Sequence, residues 1–149
     1  MKNMEMMLTP CIFIKCKEII MDFNELAKKA MDLKNNEHYN CCQAVVCVLA
    51  DETDLDYDTL NRLASGFAVG LGNMEGTCGA LIGACMIASL KAGDEAIRYT
   101  REISENFRQK CGSITCKVLK GKVDENIFIY CEDCVKNAVL AYGEVMYGK

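Results

Sequence analysis

The 149-residue sequence has few of the features that mark several common protein classes. It contains one proline, one histidine and no tryptophan, and it has no Ser–His–Asp arrangement or phosphate-binding glycine motif that would indicate hydrolysis or phosphoryl transfer. Positive charge is not in excess: the net charge is −4, which argues against a nucleic-acid partner because such surfaces need a basic stripe. No apolar segment approaches the roughly 20 residues of a membrane-spanning helix, so we expect no membrane association.

What the sequence does have is cysteine, at 11 positions. In a secreted protein this number would predict a disulfide scaffold. However, the N-terminus offers only the short apolar stretch from Cys11 to Ile14, followed by Lys15 and Lys17, and no small-residue cleavage site of a secretory signal. We therefore predict a cytoplasmic protein, whose cysteines act in a reducing compartment as metal ligands or redox groups.

The N-terminal residues 1–20 are predicted to be a non-native or disordered extension, and residues 21–149 a single helical domain. Codons compatible with Lys17 to Ile20 would form a ribosome-binding site just before Met21. Translation would then begin at Met21, which would remove Cys11 and Cys16 from the native protein. The intact mass of the natively expressed protein decides this hypothesis, because a mass that includes residues 1–20 would contradict it.

The hydrophobic pattern predicts an all-α fold. Apolar residues recur at helical spacing through most of residues 21–149, and no alternating run is long enough for a strand. With 51% hydrophobic residues, the chain can bury a core, so we expect one compact domain of about six helices with short loops. The helical segments are predicted at 23–33, 39–50, 59–67, 77–91, 95–110 and 126–146, with a short helical turn at 115–120 and with Asp94 as the N-cap of the fifth segment.

Cys78 is the candidate redox-active residue. It follows a glycine-rich stretch, GTCGALIG at 76–83, and opens a helix, where backbone N–H groups and the helix dipole favour a thiolate. Gly79 and Gly83 leave one face of this helix without side chains, so a cofactor can approach it closely. Plain helix packing through small residues is the alternative for the two glycines.

Other cysteines also lie at helix starts. Cys41 and Cys42 begin the second predicted helix and Cys116 the short turn, while Cys131 and Cys134 form the one C-x-x-C pair and share a helix face. In contrast, Cys47 and Cys85 lie in mid-helix among apolar residues and are predicted to be core residues.

These cysteines carry a resemblance to a known family, the C_GCAxxG_C_C redox-active proteins, which are named after their cysteine pattern. The matching stretches are YNCCQAV at 39–45, LASGF at 63–67, GTCGALIG at 76–83, GSITC at 112–116 and CEDCV at 131–135. The resemblance implies that the family's four cysteines are Cys41, Cys78, Cys116 and Cys131. The neighbouring Cys42, Cys111 and Cys134 are predicted to be secondary ligands; the family usually has Ala at position 42 and often an aromatic residue at 134.

A similar domain occurs in split-Soret cytochromes, which bind haem and an iron–sulfur centre. Covalent c-type haem is not expected here, because the chain lacks C-x-x-C-H and has only His38. The resemblance therefore implies an iron–sulfur cluster of undetermined type on the four cysteines, with Gly79 and Gly83 beside it. The protein would act in electron transfer or redox sensing with a redox partner, an oxidoreductase or a ferredoxin-like protein.

Two alternatives stay open at this stage. A metal-free thiol–disulfide protein would use Cys78 with a resolving partner such as Cys116 or Cys131. A structural zinc site or a plain helical interaction module is the other alternative, although structural zinc sites usually pair two short-spaced cysteine motifs. The sequence decides neither whether the chain is itself an oxidoreductase component nor whether it forms a homodimer.

Overall fold

The computed structural model describes residues 21–148, and this part of the chain folds into helices with no β-strand. Six helices have two or more turns and one is a single turn, which confirms the predicted all-α class with about six helices. The predictions for residues 1–20 lie outside the described residues. The helices are α1 (Phe23–Asn36), α2 (Cys41–Val48), α3 (Tyr57–Ala64), α4 (Gly79–Ala92), α5 (Ala96–Cys111), α6 (Cys116–Leu119) and α7 (Cys131–Tyr147).

Polar side chains fix where the first three helices begin. The carboxylates of Asp22 and Asp56 accept hydrogen bonds from backbone N–H groups in the first turns of α1 and α3. Asn40 caps α2 with a capping box, in which its side chain accepts from the backbone of Gln43 and the Gln43 side chain accepts from the Asn40 N–H. This box makes Cys41 the first residue of α2.

The last helix starts later than the sequence pattern predicted. It begins at Cys131 rather than near Asn126, because the preceding residues are extended and pair with the end of α6. Lys120 and Phe128 form an isolated antiparallel bridge, and the Ile129 N–H donates to the Leu119 carbonyl oxygen at 2.9 Å. Cys131 is therefore the first residue of α7.

The N-cap predicted for α5 is also different. Gly93, with a φ of 58°, ends α4 and opens a single 3-10 turn, Gly93–Glu95, before α5 begins at Ala96. Asp94 lies inside this turn, and no side chain caps α5. The N-cap prediction for Asp94 is wrong because the two helices are joined by a turn rather than by a loop.

Helix α7 lies at the centre of the fold, in contact with α1, α2, α4 and α5. Its Val135, Val139 and Tyr142 are fully buried together with Leu81 of α4 and Phe107 of α5. This core fixes the neighbouring helices relative to one another. No helix among residues 21–148 is long and apolar enough to cross a membrane.

A buried carboxylate joins the end of α7 to the turn after α2. The Glu52 side chain is 5% exposed. Its Oε1 accepts hydrogen bonds from the Tyr142 and Tyr147 hydroxyls, each at 2.7 Å, and lies 3.6 Å from the Lys91 ammonium. The two hydroxyls and the cation offset the cost of removing the carboxylate from water.

Candidate cysteine site

Five cysteines line one cavity of about 240 Å³: Cys41, Cys78, Cys116, Cys131 and Cys134. Four of them come from the starts of different helices, since Cys41, Cys116 and Cys131 are the first residues of α2, α6 and α7 and Cys78 is the N-cap of α4. The structure thus brings together all four cysteines that the resemblance selected. They are distant in sequence, so the tertiary fold alone makes them neighbours.

The remaining predicted residues are placed in different ways. Gly79 lines the cavity, whereas Gly83 does not and packs against α2. Cys42 is fully buried, with its thiol 3.8 Å from the Met86 sulfur. Cys111 lies outside the cavity, and its pKa is lowered by Cys134, which does line the cavity.

The two mid-helix cysteines lie apart from the site. Cys47 is 2.9 Å from the Tyr57 hydroxyl. Cys85 lines a second cavity, of about 480 Å³, between α4 and α5. Burial raises the pKa of the Cys85 thiol to about 12, so this residue stays protonated at neutral pH. Neither residue takes part in the five-cysteine cavity.

Glycines make the room that the cysteines occupy. A Cβ at Gly79 would lie 2.6 Å from the Cys41 sulfur and 2.5 Å from the Phe67 carbonyl oxygen. A Cβ at Gly70 would lie 2.7 Å from the Cys116 Cβ. The glycine-rich sequence therefore has a packing reason at this site: it allows the Cys41 and Cys116 side chains to approach the backbone of the loop and of α4.

The loop before α4 contains residues in a left-handed conformation that L-amino acids rarely adopt. Val69, Leu71 and Met74 have φ values of 53°, 66° and 66°. This conformation costs about 1–2 kcal/mol per residue, and a β-branched side chain such as Val69 is especially disfavoured. The strained backbone directs the Val69 N–H to the Cys41 sulfur, and the Gly76 carbonyl accepts from the Cys116 N–H at 3.0 Å. The sequence gives no sign of these non-glycine left-handed residues.

Cys78 has the surroundings of a stabilised thiolate. A hydrogen bond from the Cys134 thiol lowers its pKa to about 7, although burial acts in the opposite direction. The backbone N–H groups of Ala80 and Leu81, in the first turn of α4, and the positive charge of Lys120 act in the same direction as Cys134. These amides are the helix-start donors that the sequence position of Cys78 suggested.

The other cavity cysteines differ from Cys78 in their electrostatics. Burial, followed by the proximity of Cys78, raises the pKa values of Cys41 and Cys116. The contacts with Cys111 and then Cys78 raise the pKa of Cys134. Cys78 therefore differs from Cys41, Cys116 and Cys134 in having a lowered pKa.

Comparison with protein families assigns the chain. The family model described as "Putative redox-active protein (C_GCAxxG_C_C)" matches residues 39–145. The chain belongs to this family. Comparison with curated proteins and with solved structures found no match. The match to the C_GCAxxG_C_C family confirms the resemblance read from the sequence and spans all five cavity cysteines, so the protein is redox-active in the sense of its family.

Two lysines complete the cavity of this C_GCAxxG_C_C protein. The Lys120 ammonium donates a hydrogen bond to the Cys131 sulfur. Burial is the largest effect and opposes its charge, but the hydrogen bond to Cys131 and the proximity of Cys131, Cys134 and Cys116 together outweigh burial and raise the pKa of Lys120. Lys34, from α1, also lines the cavity. Neither lysine was predicted to belong to the site. Lys120 follows Cys116 by four positions, a spacing that places these two residues on one helix face, whereas Lys34 has no such pattern.

The sulfur atoms of the four family cysteines lie around a cavity and do not converge on one point. Within residues 21–148, no group of three or more His, Cys, Asp or Glu side chains is arranged so that it could hold a metal ion. A mononuclear zinc site requires ligand atoms about 2.0–2.3 Å from one centre. The cavity between the thiols thus differs from a preformed single-ion site.

Proposed function

We propose that the protein acts in electron transfer or redox sensing through an iron–sulfur cluster held by Cys41, Cys78, Cys116 and Cys131. The observation that carries the proposal is that these four cysteines, from four helix starts, line a common cavity. Four cysteine thiolates are the usual ligand set of [2Fe–2S] and [4Fe–4S] clusters. A dithiol mechanism needs only two thiols and leaves the other two cysteines without a role.

The chemistry of the residues around the cavity suits an iron–sulfur cluster. The donors are thiols, and the cavity of about 240 Å³ separates them. The glycine at position 79 keeps Cys41 at the cavity, because a Cβ there would lie 2.6 Å from its sulfur. The ammonium groups of Lys34 and Lys120 offset the negative charge of several thiolates in one place. Zinc fits less well, since it needs ligands that converge on one centre.

A bound cluster would accept and release single electrons. The protein's own groups prepare the sulfurs for this role: the N–H groups of Ala80 and Leu81 hydrogen-bond to Cys78, and the Val69 N–H hydrogen-bonds to Cys41. Hydrogen bonds to sulfur and burial both tune cluster potentials. In this proposal the protein exchanges electrons in the cytoplasm with an oxidoreductase or a ferredoxin-like partner.

Anaerobic purification tests the proposal. The protein is expected to be brown, to absorb near roughly 400 nm and to contain iron and sulfide. Cys78→Ser should lose most of the iron, while Cys47→Ser, outside the cavity, should retain it. A colourless protein with stoichiometric zinc would contradict the cluster and support a structural zinc module.

A metal-free dithiol is the second candidate, and one contact favours it. The Cys134 thiol donates a hydrogen bond to Cys78, whose pKa is lowered to about 7. A thiolate with a pKa near ambient pH is an effective attacking group in thiol–disulfide exchange, and an adjacent thiol can resolve the mixed disulfide. The contact favours Cys134 as the resolving cysteine over Cys116 and Cys131. Metal-free protein with a reversible Cys78–Cys134 disulfide would support this candidate.

A further inference from the structure

The second cavity, between α4 and α5, takes no part in the proposed function. Its volume of about 480 Å³ lies within the range of about 300–1,000 Å³ that is usual for small-molecule sites. Each helix lines it with residues at i, i+3, i+4 and i+7, a spacing that places them on one helix face. These residues run from Ile82 to Ser89 on α4 and from Ile97 to Ser104 on α5. Two helix faces therefore form most of the cavity wall.

The two walls of this cavity differ in chemistry. The α4 wall is largely apolar and is extended by one residue from the loop after α5: Leu81, Ile82, Cys85, Met86 and Ile114. The α5 wall is more polar, with the hydroxyl groups of Thr100 and Ser104 and the guanidinium group of Arg101. At its rim, Ile97 is 72% exposed. A ligand that suits both walls has an apolar body and one polar end.

Arg101 differs from the other arginines of α5 in its electrostatic surroundings. Arg98 pairs with two glutamates, at 2.7 and 3.7 Å, and Arg108 pairs with Glu105 at 3.5 Å. Among residues 21–148, no carboxylate lies within ion-pair distance of Arg101. The acidic groups within one helical turn are thus taken by its neighbours. The cavity therefore has a single positive charge without an internal counter-ion.

We propose that this cavity binds a small monocarboxylic acid with a hydrocarbon chain, whose carboxylate pairs with Arg101. A guanidinium group matches a carboxylate in geometry and can bind both of its oxygens. One cation offsets one negative charge, which favours a monocarboxylate over a doubly charged phosphate ester. The hydrocarbon chain lies against the apolar α4 wall, away from water. The inference goes beyond the proposed function and does not depend on it, because it uses none of the five cavity cysteines.

A hydroxyl group on α5 completes the polar end of the site. The Thr100 hydroxyl donates to the Ile97 carbonyl oxygen at 3.3 Å, so its proton is already engaged. Ser104 lies three positions after Arg101, on the same helix face. Its hydroxyl can donate a second hydrogen bond to a carboxylate that Arg101 holds.

Isothermal titration calorimetry of the full chain with octanoate tests the proposal. We expect one octanoate to bind per chain. Octan-1-ol has the same hydrocarbon chain without the charge and should bind at least about tenfold more weakly. Acetate has the charge without the chain and should show no measurable binding. In NMR spectra, octanoate should shift the amide signals of residues 82–89 and 97–104.

Arginine variants of α5 provide the matched comparison. Arg101→Gln should weaken octanoate binding by at least about tenfold and leave the affinity for octan-1-ol unchanged. Arg108→Gln removes an arginine of the same helix whose guanidinium group pairs with Glu105 and does not line the cavity. This control should bind octanoate as the wild type does. Far-UV circular dichroism checks that both variants are folded.

Several results would overturn the inference. Equal affinities for octanoate and octan-1-ol, or equal weakening by the two arginine variants, would remove the role of Arg101. Shifts confined to Lys34, Lys120 and their neighbours would place the carboxylate at the cysteine cavity instead. Sedimentation velocity covers another occupant: a dimer that octanoate does not dissociate, with the α4–α5 face at its interface, would assign the cavity to a second copy of the chain.

Discussion

A methyl group at Gly79 should damage both the fold and the cysteine site. In Gly79→Ala the new Cβ would lie 2.5 Å from the Phe67 carbonyl oxygen, 2.6 Å from the Cys41 sulfur and 3.0 Å from the Ala68 Cα. Two of these three atoms are backbone and cannot rotate away. The substitution therefore forces α4 away from the loop before it or displaces the Cys41 side chain.

Two effects of opposite sign determine the magnitude. Overpacking of a close contact costs about 1–3 kcal/mol. Alanine favours a helix over glycine by up to about 1 kcal/mol in the interior, and Gly79 is the first residue of α4, where the gain is smaller. The overpacking term dominates, so we expect the free energy of unfolding to fall by about 1–2 kcal/mol.

Urea denaturation of the reduced, metal-free protein measures this change without a contribution from bound metal. Gly66→Ala is the matched control, because a Cβ there meets nothing within 4 Å and its φ is outside the left-handed region. The control should be unchanged or stabilised by about 0.4–1 kcal/mol. Equal stabilities for Gly79→Ala and Gly66→Ala would refute the close-packing argument.

Two other predictions concern the core and the thiols. Tyr142→Phe removes a hydrogen bond to the buried Glu52 carboxylate and should lower the free energy of unfolding by about 1.5–3 kcal/mol. Tyr147→Phe removes the second hydrogen bond to Glu52, but its side chain is nearer to solvent, so the loss of unfolding free energy should be smaller. Urea denaturation measures both losses, and equal losses would contradict this order. In metal-free protein the alkylation rate of Cys78 should rise with pH through about 7, because the thiolate reacts, while Cys85, with a pKa near 12, stays slow. Mass-spectrometric labelling checks this, and a Cys78 rate that rises only above its ordinary pKa would count against the lowered value.

Much of the fold follows from local rules that act within a few residues. Asn40 caps α2 and so determines that Cys41 begins a helix, and Gly93 ends α4 through its positive φ. The hydrophobic pattern did not predict where α7 begins, because the residues before Cys131 pair with the end of α6 and are not helical. The bridge joins Lys120 to Phe128, which are farther apart than the i, i+3 and i, i+4 spacings that indicate a helix.

The sequence predicts which residues form the site better than it predicts the contacts between them. Helix-start positions pointed to Cys78, and the family pattern added Cys41, Cys116 and Cys131. The link from Cys134 to both Cys78 and Cys111 was not predictable, because it depends on how α7 packs against α4 and α5. Spacing along a helix shows which side chains share a face, but not which neighbour that face meets.

The distribution of the cavity cysteines over four helix starts affects how the protein is made. Roughly 90 residues separate Cys41 from Cys131. At a synthesis rate of about 5–20 residues per second, on the order of ten seconds therefore pass between the synthesis of Cys41 and that of Cys131. During that interval an early thiol can meet other reactants in the cell. Once the chain is complete, any ligand held by all four thiols also ties α2, α4, α6 and α7 together, and its removal by a chelator should lower the melting temperature of the whole domain.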